Sequence, residues 1–124
     1  MAAHMNRLAV FDLDGTLLDT APDIRVAANR QLALHGLAPL TLAEITPMIG
    51  DGARVLCERA FAARGREVPP GAVEAFIADP DLEGGPLTQL FPGITALLDT
   101  LLAKGWRLAV CTNKPVIPAR AVLA

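Results

Sequence analysis

Arg7-Leu-Ala-Val-Phe-Asp-Leu-Asp-Gly-Thr16 is the stretch on which the reading of this chain turns. A short apolar run without apolar/polar alternation, breaking at once into two aspartates and a glycine, has the profile of a buried parallel strand that ends in a loop. Residues i and i+2 of an extended chain project to the same side, so Asp12 and Asp14 converge while Leu13 turns back toward the core. Two carboxylates on one side repel each other unless a cation lies between them, and hard oxygen ligands with retained waters suit Mg²⁺. Gly15 permits an unusual backbone turn, and the N–H groups around Leu13 and Gly15 can face an anion. The plainer alternative is an Asp-Gly turn with no ligand.

A second stretch has the same profile. Arg107-Leu-Ala-Val-Cys111 is again a short apolar run, and it ends in Thr112-Asn-Lys-Pro115. Both strands call for cover on two faces, and both carry polar residues at their C-terminal tips, the edge at which open α/β sheets bind ligands. The chain between them reads as helical. Pro22 suits a first helical turn, and Ile24, Ala27, Ala28 and Leu32 share one face before His35-Gly36 closes the helix. Thr41-Leu-Ala-Glu44 is a capping-box pattern for a short helix stopping near Gly50, and a third helix is predicted over about Ala53 to Arg64. A fourth carries Val73, Phe76 and Ile77, and residues 79–86 read as loop by composition. Ile94, Leu97, Leu98, Leu101 and Leu102 form the cleanest apolar stripe, ended by Gly105. The helical block at 18–88 is too long for a simple crossover and reads as an inserted cap. The core is assigned to 1–17 and 89–124.

Composition narrows the function classes. Eleven Lys+Arg against 13 Asp+Glu give a formal charge of -2 over 124 residues, which argues against a nucleic-acid or anionic-membrane partner. Aromatics at 4%, with no Tyr, leave no base-stacking platform. The charge-free segments 31–43 and 84–98 are too short to span a bilayer, and each contains Pro and Gly. Met1-Ala-Ala-His4 reads as a cloning remnant ahead of Met5. Cys57 and Cys111 form no Cys-x-x-Cys or Cys/His cluster and read as two buried, reduced thiols of a cytoplasmic protein.

Val10-Phe-Asp-Leu-Asp-Gly-Thr-Leu-Leu-Asp19 resembles the first signature motif of the haloacid dehalogenase-like phosphatases, and Val110-Cys-Thr-Asn-Lys-Pro115 resembles their second. The helical block lies where that family carries its small cap. Ile49-Gly-Asp-Gly-Ala-Arg-Val-Leu56, Glu58-Arg-Ala60 and Phe91-Pro-Gly93 are similar to segments of the phosphoglycolate phosphatase subfamily. The resemblance implies an α/β fold with a doubly wound, Rossmann-like parallel-sheet core and an α-helical cap. It implies a Mg²⁺-dependent phosphomonoester hydrolase acting on a small phosphorylated metabolite, with Asp12 as nucleophile and Asp14 as general acid and base. The side chain of Asp12 and the backbone carbonyl of Asp14 would hold Mg²⁺. The Thr112 hydroxyl and Asn113 N–H would bind phosphoryl oxygens, with Lys114 a further contact. Gly50-Asp51-Gly52 is either a cap loop reaching over the site or a plain turn between helices. Arg54 reads as a solvated residue and His35 as a helix-end residue.

The chain departs from the family pattern in one respect. The family's third motif, a lysine, and its fourth, an acidic pair, follow the second, yet the lysines of this chain are Lys104 and Lys114, and no acidic residue follows Asp99. Two parallel strands are also too few for a sheet of ordinary size, so the core is expected to be incomplete at the C-terminus and the chain to be the N-terminal portion of a longer enzyme, weakly active or inactive alone. Competing readings are another small phosphomonoesterase or a sugar-phosphate mutase, a receiver-like phospho-acceptor, and a non-catalytic module that self-associates through an unpaired sheet edge.

Overall fold

A computed structural model describes residues 7–123. The expected remnant at Met1–His4 and the start at Met5 lie outside the described residues. Strand β1 (Leu8–Phe11) pairs in parallel with β4 (Arg107–Val110), with Leu8 opposite Arg107 and Phe11 opposite Val110. Two further strands, not expected from the sequence, form a two-residue antiparallel clasp: β2 (Leu18–Asp19) against β3 (Gln89–Leu90). Everything between the clasp strands is helical or loop. It comprises α1 (Ala21–Leu34), α2 (Leu42–Ile45), α3 (Ala53–Ala62) and α4 (Ala72–Ile77), with 3-10 turns at Thr46–Met48 and Pro80–Glu83. After the clasp come α5 (Ile94–Ala103), β4 and α6 (Val116–Leu123).

The helical block has its own core. Ile24, Ala27, Leu32, Leu40, Ile45, Leu56, Phe61 and Phe76 are among a contiguous buried cluster drawn from α1 to the second 3-10 turn. Phe61 and Phe76 are almost wholly buried, each contributing about 1.5–3 kcal/mol of transfer free energy. His35 caps the C-terminus of α1, as its position in the sequence implied, and its ring meets Phe61 edge-on. At Thr41 the capping box is complete: the hydroxyl accepts from Glu44 N at 3.1 Å, and Glu44 Oε1 accepts from Thr41 N at 3.0 Å. Arg64 then bridges Glu44 and the carbonyls of Ala38 and Pro39, tying the end of α3 to the start of α2.

A second, smaller cluster joins Leu13, Leu17, Leu18 and Ala119 to Phe11, Ile94, Leu98 and Val122. Here the expectation of two-sided cover is only half met. Leu13 is fully buried, but Leu8 and Val10 on β1 are more than half exposed, and the apolar stripe of α5 leaves Leu97 and Leu102 facing solvent. Ile94 and Leu98 carry the part of the stripe that reaches this cluster, and among the described residues nothing covers Leu97 and Leu102. Among the described residues the outer edge of each strand of the β1–β4 pair has no partner strand. Two further expectations are corrected. Residues 79–86 are not all loop, because the Asp79 carboxylate accepts from Asp81 N at 3.0 Å and starts a 3-10 turn. Cys111 is exposed rather than buried, since it follows the last strand residue, while Cys57 is buried and its thiol pushed up to about 11 by burial. No helix among the described residues is long and apolar enough to cross a membrane.

The Arg64 guanidinium holds the Glu44 carboxyl down to about 2 from 4.5. A depressed carboxylate pKa adds stability that is fully present above the unfolded value and is lost as pH falls through the folded one. Both side chains remain partly open to solvent, so screening keeps the effect small. Glu44→Gln is expected to lower the melting temperature slightly at pH 7, with the difference from wild type shrinking between pH 4.5 and 2. A difference that stays constant across that range in thermal melts would refute the assignment.

Candidate active site

The parallel register sets the site. Because Phe11 lies opposite Val110, the chain leaves β1 and β4 at the same level, and Asp12–Gly15 emerges beside Thr112–Pro115. Asp12, Asp14, Thr112, Asn113, Lys114 and Pro115 line one cleft. Its other wall comes from the helical block, with Ile24, Ile49, Leu56, Phe76 and Leu82 giving an apolar lining and Gly50, Gly52 and Ala53 a backbone one. The Asp-Leu-Asp-Gly loop is tightly wound. Gly15 takes φ 78, and its N–H donates to the Leu18 carbonyl at 2.9 Å, while the N–H groups of Leu17 and Leu18 return to the Leu13 carbonyl.

The carboxylates are held differently. Asp12 is exposed, and its Oδ1 accepts from the Leu13 N–H at 2.8 Å. Asp14 is mostly enclosed and receives two donors on one oxygen: Thr20 Oγ1 at 2.6 Å and Lys114 Nζ at 3.0 Å. The Lys114 side chain is only 4% exposed, so its charge is committed to Asp14. This differs from the expectation that Lys114 reaches a phosphate. The expected anion donors at Leu13 and Gly15 are likewise engaged, one by Asp12 and the other by Leu18, so Gly15 serves the turn itself.

On the second loop the Thr112 hydroxyl accepts from Lys114 N at 3.1 Å, which leaves its own proton free to donate. The Asn113 amide donates to the Gly50 carbonyl at 2.8 Å, and Gly52 packs so closely that a Cβ there would lie 3.4 Å from the Asn113 carbonyl oxygen. Gly50 and Gly52 therefore reach the cleft, rather than forming a remote turn. Asp51 does not line it and instead pairs with Arg59 at 2.8 Å. Arg54 is exposed and outside the cleft lining, as its solvated reading implied.

The donor set fits a small hard cation. Two carboxylates converge, and the loop's backbone hydrogen bonds from Gly15 to Leu18 leave the Asp14 carbonyl unused.

Two residues that the sequence reading passed over secure this arrangement. Thr20 is 2% exposed and is the N-cap of α1, yet its hydroxyl makes no cap bond and goes to Asp14. Asp23, also 2% exposed, accepts from Leu87 N at 3.0 Å and Thr88 Oγ1 at 2.7 Å, binding the outgoing linker to the returning one. It lies in the first turn of α1, where an acid also suits the helix dipole.

The geometry defines a capped α/β protein whose paired strand tips present two carboxylates and a Thr-Asn-Lys loop. The chain belongs to the haloacid dehalogenase-like hydrolase family, which it matches over residues 7–124. It is 48% identical over 120 residues to a phosphoglycolate phosphatase of Cereibacter sphaeroides strain ATCC 17029, covering 93% of this chain and 55% of that protein. Among solved structures it is similar to a putative phosphoglycolate phosphatase from Lactobacillus delbrueckii subsp. bulgaricus, with a TM-score of 0.74 and 28% identity, over 89% of this chain and 55% of the other. It is also similar to CbbY from Rhodobacter sphaeroides, solved in complex with phosphate, at TM-score 0.67 and 26% identity, over 95% and 56% of the two chains. The chain thus spans about half the length of the curated relatives it matches.

Gly85 lies against the Asp23 carboxylate, where an added Cβ would come within 2.6 Å of Oδ1. Gly85→Ala is therefore expected to destabilise the chain by ~1–3 kcal/mol through overpacking at the linker clasp. Unchanged urea unfolding would show that the linker yields freely.

Proposed function

We propose that the complete protein is a Mg²⁺-dependent phosphomonoester hydrolase acting on a small phosphorylated metabolite of the phosphoglycolate class, in the cytoplasm. The observation that carries this reading is the convergence of Asp12, Asp14 and Thr112 on one cleft closed by the Gly50–Gly52 loop.

In this reading an Asp12 oxygen attacks phosphorus, forming an Asp12–phosphorus bond as the bond to the leaving oxygen breaks. Asp14 gives its proton to that oxygen, releasing the alcohol. Asp14 then takes a proton from water as the water oxygen attacks phosphorus, the Asp12–phosphorus bond breaks, and inorganic phosphate leaves. The Thr112 hydroxyl and the Asn113 N–H orient the phosphoryl oxygens. The Asp12 side chain and the Asp14 carbonyl would hold Mg²⁺, whose charge would offset that of the phosphoryl oxygens. The apolar wall from Ile49, Leu56, Phe76 and Leu82 excludes bulk water from the reacting centre. The subfamily assignment is supported by the phosphoglycolate phosphatase relatives and the cap-loop segment Ile49–Leu56.

Asp12→Asn should lower kcat for 2-phosphoglycolate by at least ~10³-fold in the complete protein while leaving its melting temperature within a few degrees, because Asp12 is exposed and makes only a local contact. A panel of 2-phosphoglycolate, hexose phosphates and nucleotides, assayed with Mg²⁺ and with chelator, tests substrate class and metal dependence together. Preference for a hexose phosphate, with phosphoryl transfer back to sugar, would point to a mutase instead.

A further inference from the structure

The Asp14 carboxylate is gripped at one oxygen by two groups from different parts of the chain. The Thr20 hydroxyl comes from the first residue after the clasp strand Leu18–Asp19, and the Lys114 ammonium comes from the loop after β4. Each is in an unusual situation for its residue type. A threonine at an N-cap ordinarily accepts, at its hydroxyl oxygen, a hydrogen bond from an N–H of the first helical turn, a contact worth ~1 kcal/mol. Thr20 makes no such bond, and its hydroxyl proton points to Asp14 instead. A lysine beside a phosphate-binding loop ordinarily keeps its head in water, yet the Lys114 side chain is 4% exposed and spends its contact on a carboxylate. Both donors meet Oδ1, so Oδ2 is the oxygen left for reacting groups.

We propose that Thr20 and Lys114 form a two-point clamp that fixes the Asp14 side chain with Oδ2 available for proton transfer, making both of them positioning residues and Lys114 not a phosphate ligand. This rests on the hydrolase reading above. A carboxylate has two soft torsions, and a single hydrogen bond leaves one of them free to swing; two donors from separate segments restrict that freedom. Proton transfer needs heavy atoms at hydrogen-bond distance, so a loosened Asp14 slows the step in which the leaving oxygen is protonated without weakening phosphate binding. The consequence depends on the leaving group. An alkoxide cannot depart without a proton, whereas p-nitrophenolate departs nearly unaided.

The test compares phosphoenzyme formation in a single turnover of the complete protein on 2-phosphoglycolate and on p-nitrophenyl phosphate, using wild type, Thr20→Val, Thr20→Ser and Lys114→Met. Expected is a loss of ~10–100-fold for Thr20→Val and Lys114→Met on 2-phosphoglycolate, with less than ~3-fold change on p-nitrophenyl phosphate and in KM. Thr20→Ser, which keeps the hydroxyl, should stay near wild type. Equal losses on both substrates, or a KM rise with unchanged kcat in Lys114→Met, would overturn the clamp and make Lys114 a phosphate contact. If Thr20→Val fails to fold by circular dichroism, the Lys114→Met ratio and Thr20→Ser decide by the same criteria. A wild type inactive on both esters would overturn the hydrolase reading and the clamp with it, whereas an active wild type with leaving-group-independent losses overturns the clamp alone.

Discussion

The parallel pairing of Leu8–Phe11 with Arg107–Val110 is the constraint from which the site follows. A register set four residues deep delivers two loops, nearly 100 positions apart in sequence, to one level of one edge. Side chains alternate along a strand, so a shift of one residue would turn Asp12 and Asp14 to the wrong side of the pair. The loops that carry the catalytic candidates are thus brought together by backbone hydrogen bonds. What the side chains add is local: Thr20 and Lys114 on Asp14, and Asn113 on the Gly50 carbonyl.

The helical block meets this edge through few but specific connections. The β2–β3 clasp is only two residues long on each side, and Asp23 reinforces it by accepting from the returning linker. Helix α6 packs on the second 3-10 turn, with Val122 against Gly84. The Asn113–Gly50 hydrogen bond then joins the far side of the cleft.

Much of this was legible in the sequence because the signals were local. The two apolar runs, the capping box at Thr41 and Glu44, and the i/i+2 spacing of Asp12 and Asp14 each state their structure within a few residues. The contacts that were missed are long-range and use residues with an innocent local explanation. Thr20 and Asp23 both suit the start of a helix, and nothing nearby shows that one serves Asp14 and the other the linker at Leu87–Thr88. Lys114 adjoins Thr112-Asn113 and suggests a further phosphate contact, while the partner it meets, Asp14, lies 100 residues earlier. The β2–β3 clasp is too short to leave a periodic pattern, and Cys111 shows how apolar neighbours in sequence do not guarantee cover in space.

The larger hydrophobic cluster has a bearing on how the chain comes to be folded at all. Its members all fall between Ile24 and Leu82, so a growing polypeptide possesses a complete core before Arg107–Val110 has been made. Domains fold as units during synthesis, with the N-terminal ones first. Once folded, the insert brings its two ends together at the clasp, and the loop that β1 and β4 must close shrinks from nearly 100 flexible residues to the few on either side of a rigid body. Loop-closure entropy grows with flexible length, so the insert that covers the cleft also lowers the entropic barrier to assembling the sheet beneath it.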